Sequence, residues 1–204
     1  GGAVKLTASS AGIVIYHNTF IAPVKPMLRA VSNLHFRNNL ILGKSETPET
    51  FSVETNTNYS SSDYNGFRPN DGADVVFSWS SPALPKQSEF IGEPGTNTQQ
   101  LARQQAQARQ TRAFKTLKEF AEATGQDRHS VLVDYDVFAK VAPPGEDPRK
   151  LYKAEDFDFR LRPGSAAVDA GVKLPGINNK ASGRAPDLGA HETGEPVPQY
   201  GPRP

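Results

Sequence analysis

Val14-Ile15-Tyr16-His17-Asn18-Thr19-Phe20 and Leu34-His35-Phe36-Arg37-Asn38-Asn39-Leu40 are two versions of one pattern, offset by 20 residues from Val14 to Leu34. At that offset Val14 meets Leu34, Tyr16 meets Phe36, Phe20 meets Leu40, and Asn18 meets Asn38. A strand this short cannot bury its apolar side alone. Repeated at a fixed interval, it stacks on its own copy. The alternation of side chains along a strand places Val14, Tyr16, Asn18 and Phe20 inward, with Leu34, Phe36, Asn38, Leu40 and Leu42 matching them. A buried amide is costly unless bonded, so Asn18 and Asn38 are expected to form a ladder between coils.

Around this core the chain divides into four parts. Residues 1–96 read as coils with loop excursions, including a polar one over 43–62 and a return at Asp63-Tyr64-Asn65-Gly66-Phe67. Asp74 to Trp79 is a further strand candidate. Residues 97–125 read as a helical insertion packing on the stack; Gln99 to Arg112, rich in Gln, Ala and Arg, is either a solvated helix or disordered. Within it Thr116-Leu117-Lys118-Glu119 is a capping box, and Gly125 suits the left-handed stop of that helix. Phe114, Leu117, Phe120 and Ala121 form its apolar stripe. Residues 126–195 read as final coils and a cap, with strands at 130–133 and 157–161. Residues 196–204 are a proline-rich tail.

Bulk composition limits the functions available. The formal charge of +1 supplies no field for nucleic acid or an anionic membrane. No run is long and apolar enough to span a bilayer. With no cysteine, disulfides and thiolate metal sites are excluded. Seventeen Gly and seventeen Pro agree with many turns and few long elements. The start at Gly1 enters strand-like sequence almost directly, without an initiating Met or a cap. This reads as the C-terminal part of a longer chain.

Three further stretches carry the resemblance to a family. They are Thr116 to Ser130, Phe159-Arg160-Leu161-Arg162-Pro163-Gly164-Ser165-Ala166-Ala167-Val168-Asp169-Ala170-Gly171, and Ala185-Pro186-Asp187-Leu188-Gly189-Ala190-His191-Glu192. With the two Asn-bearing coils, they resemble bacterial right-handed parallel β-helix proteins of the pectate-lyase-like superfamily, at their last coils and C-terminal cap. His191 departs from the Tyr or Phe usual at its position. The resemblance implies a mainly-β solenoid with one short packed helix and long loop insertions. It further implies a secreted carbohydrate-active protein, a polysaccharide lyase or glycoside hydrolase, located extracellularly, in the periplasm or at the cell surface. The alternative is a non-catalytic glycan-binding, adhesin or surface structural β-helix. The partner it implies is the N-terminal remainder of the same β-helix, in cis or as a docked chain, together with polysaccharide. The family's catalytic groups usually lie on middle coils, so no catalytic residue is carried over.

Candidate chemistry is sparse. His17, His35, Arg37 and Asn39 fall on the outward side and form a column suited to an acidic sugar, with Arg able to pair with a carboxylate in two-pronged fashion. Asp63, Asp71 and Asp74 lie in an oxygen-rich stretch, which makes Ca2+ the one candidate ion. Asp127, His129 and Ser130 read as a turn, because neighbours on a strand diverge. Asp169 with Gly171, and Asp187 with Gly189, read as structural turns of the cap.

Overall fold

The computed structural model describes residues 3–4, 6, 10–22, 31–43, 49–82, 109–145, 147 and 149–196. Most of Gln99 to Arg112 and nearly all of the proline-rich tail lie outside them. The protein is mainly β. Strands β1 (Val14–Tyr16), β3 (His35–Arg37) and β6 (Ser61–Asp63) form one parallel sheet. Strands β2 (Thr19–Phe20), β4 (Leu40–Ile41), β7 (Gly66–Phe67) and β10 (Val131–Leu132) form a second, also parallel. In the third sheet β5 (Phe51–Glu54) pairs parallel with β8 (Phe77–Pro82), and β9 (Arg109–Phe114) closes on β8 antiparallel. The expected excursion over 43–62 thus contains β5, whose Phe51 and Val53 alternate inward. Arg109 to Arg112 is strand rather than helix.

The register differs from the expected one by a single residue. Val14 pairs with His35 and Ile15 with Phe36, an offset of 21 rather than 20. Inward positions in the first unit are therefore Ile15 and Phe20, while Val14 is 63% exposed. The cause is a sharp corner between the two strands of each unit. His17, Asn38 and Tyr64 adopt positive φ of 53°, 58° and 54°. Alternation does not carry across such a bend, so one strand pattern read through it misplaces half the residues.

The residue after each corner carries the ladder. Asn39 Oδ1 accepts the Asn18 N–H at 3.0 Å and the Asn18 Nδ2 amide at 3.1 Å. Asn65 Oδ1 accepts the same pair from Asn39, at 3.0 and 3.1 Å. Asn65 N–H then donates to Ser130 Oγ at 2.8 Å, and the Ser130 hydroxyl donates to Asp127 Oδ1 at 2.6 Å. Asn38, expected in this ladder, instead points sideways. Its Nδ2 donates to Val172 O at 2.8 Å and its Oδ1 accepts Val172 N–H at 2.8 Å.

Aromatic rings fill the interior unit by unit. Phe20, Phe36, Phe51, Phe67 and Phe77 contact in succession, with centroid separations from 5.1 to 6.3 Å. Phe120 ends the series 5.2 Å from Phe77. It comes from helix α1 (Leu117–Thr124), which starts at the Thr116–Glu119 capping box and stops at Gly125 with φ 74°. No helix among the described residues is long and apolar enough to cross a membrane.

Past β10 the chain leaves the stack. It forms the antiparallel pair β11 (Phe138–Lys140) and β12 (Asp158–Leu161), then turns back along the outer side of the second sheet. Leu40, Leu42, Val133, Leu161, Ala167 and Leu188 make a second core there. Gly189 N–H reaches Asn38 O at 2.8 Å, and Ala190 N–H reaches Thr19 Oγ1 at 3.1 Å. The segment expected to form the cap lies along the outer side of the second sheet. Its turn residues hold it together: Asp187 accepts the Asp169 and Thr193 N–H groups, Asp169 accepts those of Arg184 and Ala185, and Gly171 N–H donates to Pro186 O. A Cβ at Gly171 would lie 2.7 Å from that same carbonyl, so the close approach requires glycine.

Two outcomes follow. Phe120→Ala opens the end of the aromatic series and is expected to cost about 3–5 kcal/mol in denaturant unfolding; a loss below 1 kcal/mol would remove α1 from the core. Asp127 is 1% exposed, and burial pushes its carboxyl up from 3.8 to about 6. A raised carboxyl contributes stability that is complete below pH 3.8 and lost as pH rises toward 6. Asp127→Asn keeps the Oδ1 acceptor without the charge. It is expected to raise the melting temperature at pH 7.5 and to give no gain at pH 3.5; equal gains at both would refute the buried charge.

Candidate functional site

The flank segment covers the second sheet and leaves the outer side of the first sheet open. Alternation on β1, β3 and β6 turns Ile15, Phe36 and Ser62 inward. Val14 and Tyr16, His35 and Arg37, and Ser61 and Asp63 then face outward, in rows fixed by the parallel register. Arg37 stands opposite Asp63 in that register. Its guanidinium donates to Ser61 Oγ at 3.0 Å and to Phe36 O at 3.0 Å. Among the described residues no carboxylate comes within ion-pairing distance of it. His35 is exposed beside it; partial burial and the Arg37 charge both hold its imidazole below the usual histidine value.

Asp63 is occupied on its other side by His129. Its Oδ1 accepts the His129 N–H at 2.8 Å and the Tyr64 N–H at 3.0 Å, while Oδ2 faces His129 Nδ1 at 2.8 Å. The imidazole stacks on Tyr64 with ring centroids 4.7 Å apart and planes at 10°. A carboxylate at Nδ1 makes that nitrogen the N–H donor in the neutral ring. Nε2 keeps its lone pair and has no partner among the described residues. His129 is 59% exposed, so this lone pair meets solvent. The arrangement joins a cation that can grip an acidic group, a stacked aromatic pair and an oriented proton acceptor.

Two of the four sequence-predicted binding residues, His35 and Arg37, belong to this surface. Asn39 does not: it is fully buried in the ladder. His17 lies half-buried at the first corner, on the side of the flank segment, with burial holding its imidazole low. The three acidic residues expected to gather a cation stand apart. Asp63 holds His129, Asp71 faces Arg68 at 3.6 Å, and Asp74 faces Lys115 at 3.5 Å. Among the described residues no three His or acidic side chains cluster as metal ligands do.

Ser61 escaped sequence reasoning, Tyr64 was legible only as an aromatic that could stack on a sugar ring, and His129 read as part of a turn. The signal was present for the first two. Aligning Asn65 with Asn39, 26 residues apart, brings Asp63 under Arg37 and Tyr64 under Asn38. His129 requires a jump of 65 residues across an insertion, from Gly66 to Val131. No family model, curated protein or solved structure matches this chain.

The dyad has a consequence of its own. Asp63→Asn replaces the acceptor at Nδ1 and is expected to abolish the single fixed tautomer of His129. The imidazole nitrogen chemical shifts of His129 read this directly, and an unchanged Nδ1–H population in the variant would refute the orientation.

Proposed function

We propose that the three sheets are faces of a right-handed parallel β-helix, and that the outer side of β1, β3 and β6 binds and cleaves an acidic polysaccharide outside the cell. Parallel pairing in successive units, equivalent corners at His17, Asn38 and Tyr64, and the Asn ladder support the architecture. The sequence resemblance supports the substrate class. The single observation that carries the reading is Arg37, a cation free of carboxylate partners among the described residues, on the same outward face as the oriented His129.

In this reading Arg37 pairs with a uronate carboxylate, and His129 Nε2 takes the proton beside it. The electron pair left on carbon forms a double bond as the neighbouring C–O bond to the next sugar breaks. The imidazolium returns its proton to the leaving oxygen. Arg37 stabilises the charge that develops on the carboxylate, and Asp63 stabilises the imidazolium. Tyr64 and His129 present ring surface to the sugar.

The test incubates the protein with a panel of acidic polysaccharides and follows ultraviolet absorbance of the unsaturated product. Arg37→Ala is expected to weaken binding by about tenfold or more, the loss of a charge-assisted pair. His129→Gln is expected to abolish cleavage while binding persists. Binding without cleavage in the unmodified protein would favour an adhesin or surface-binding β-helix. Absence of both would overturn the proposal.

A further inference from the structure

The contact between His17 and the flank segment does not serve the open face. His17 Nε2 lies 3.1 Å from Asn38 Nδ2 and 2.8 Å from Asn178 Nδ2. Neither amide can be turned over. Asn38 is clamped by both backbone groups of Val172. Asn178 Oδ1 accepts Leu174 N–H at 2.7 Å while its Nδ2 also donates to Val172 O at 3.0 Å. Two N–H groups therefore converge on Nε2, which must be an acceptor. The backbone of Gly189 also acts on the ring and favours its protonated form. Both bonds are satisfied by one species, the neutral ring with its proton on Nδ1.

We infer that His17 is an acid-sensitive latch that fastens residues 172–190 to the first corner and releases them when Nε2 is protonated. A proton there would point at two fixed N–H donors. Nothing in the joint can rotate to accept it. Burial already disfavours the charged ring. The opposing influences are the Gly189 backbone and, after it, the negative charge of Asp187, both of which favour protonation. The pocket beside the ring, about 530 Å³, is also lined by Lys180, His191, Glu192 and Glu195, so the ring is within reach of solvent protons. Glu192 is the other titrating anchor. It accepts the Ser182 and Asp187 N–H groups, and burial raises its carboxyl above the ordinary range.

A histidine lowered on folding contributes stability that is present above 6.5 and lost as pH falls through that value toward the folded one. Released residues would uncover the outer side of β2 and β4, where Thr19 and Leu40 now meet Gly189 and Ala190. The latch acts on a different face from the proposed glycan site, so neither reading stands on the other.

The experiment measures amide protection of Val172, Leu174 and Gly189 by hydrogen exchange between pH 7.5 and 4.5, corrected for intrinsic rates. Protection is expected to fall by up to about tenfold per pH unit below 6.5 and to level off once the ring in the closed form protonates. His17→Gln, which offers an amide oxygen to both donors and cannot titrate, is expected to keep protection flat. Glu192→Gln and His35→Gln are expected to leave the fall in place. The unmodified protein supplies an independent check, because the nitrogen chemical shifts of His17 must report the Nδ1–H tautomer at pH 7.5. A dominant Nε2–H tautomer would overturn the inference even if the variant failed to fold. So would a fall in protection that persists in His17→Gln or disappears in Glu192→Gln.

Discussion

Each corner of this chain depends on one hydrogen bond, from a corner backbone N–H to a side-chain oxygen on the neighbouring strand pair. At the corners the backbone takes a left-handed step, and the following N–H at Asn18, Asn39 and Asn65 points away from any strand partner. A buried donor left alone would cost about 1–3 kcal/mol. The Asn of the next unit removes that cost and adds a second bond through its own amide. Strands of two or three residues hold few backbone bonds. The ladder keeps such short strands in register, and the phenylalanine series then fills the space that register creates.

The way the ladder ends connects architecture to chemistry. Ser130 replaces Asn as the last acceptor, and Asp127 closes the run from inside. Gln126 Oε1 meanwhile accepts the Ser62 N–H at 2.8 Å, and Asp127 N–H donates to Ser62 O at 2.7 Å. The loop after α1 thus satisfies the edge of β6. Because Asp127 and Ser130 are held inward, His129 between them is thrown outward against Asp63 and Tyr64. A residue made accessible by structural necessity on both sides of it ends up as the best-oriented imidazole on the open face.

Much of this was legible in the residues, and the errors have a common physical origin. Short strands, the Asn ladder as a device, the capping box at Thr116 and the Gly125 stop all followed from local chemistry. The register did not, because hydrophobic matching at an offset of 20 looks as good as at 21 until the corner is known. A left-handed residue breaks the alternation, and although His and Asn are enriched in that conformation, the preference is too weak to single out His17 or Asn38. The same slip hid Ser61, because the register that sets it beside His35 and Asp63 beside Arg37 starts from Asn39. The flank position of residues 165–192 was hidden for a different reason. Turn-rich sequence states that a chain bends, but its contacts with Leu40 and Thr19 are made 120 residues or more away in sequence.

The outer sides of the first and second sheets are consequently not equivalent. On the second sheet, small or apolar outward residues, Thr19, Leu40 and Gly66, let another layer approach; a Cβ at Gly66 would already meet Leu40 at 2.6 Å. On the first sheet Val14 and Tyr16 share the outward side with His35, Arg37, Ser61 and Asp63, and the charged members could not be covered by an apolar layer without stranding charge. The pattern of outward residues decides which side becomes core and which stays open to solvent. Arg37 and Asp63 stand on paired strands, and His129, in the turn after α1, is fixed to Asp63 by two hydrogen bonds. The three are thereby held before any ligand arrives, which reduces the ordering cost that a flexible site would meet on binding.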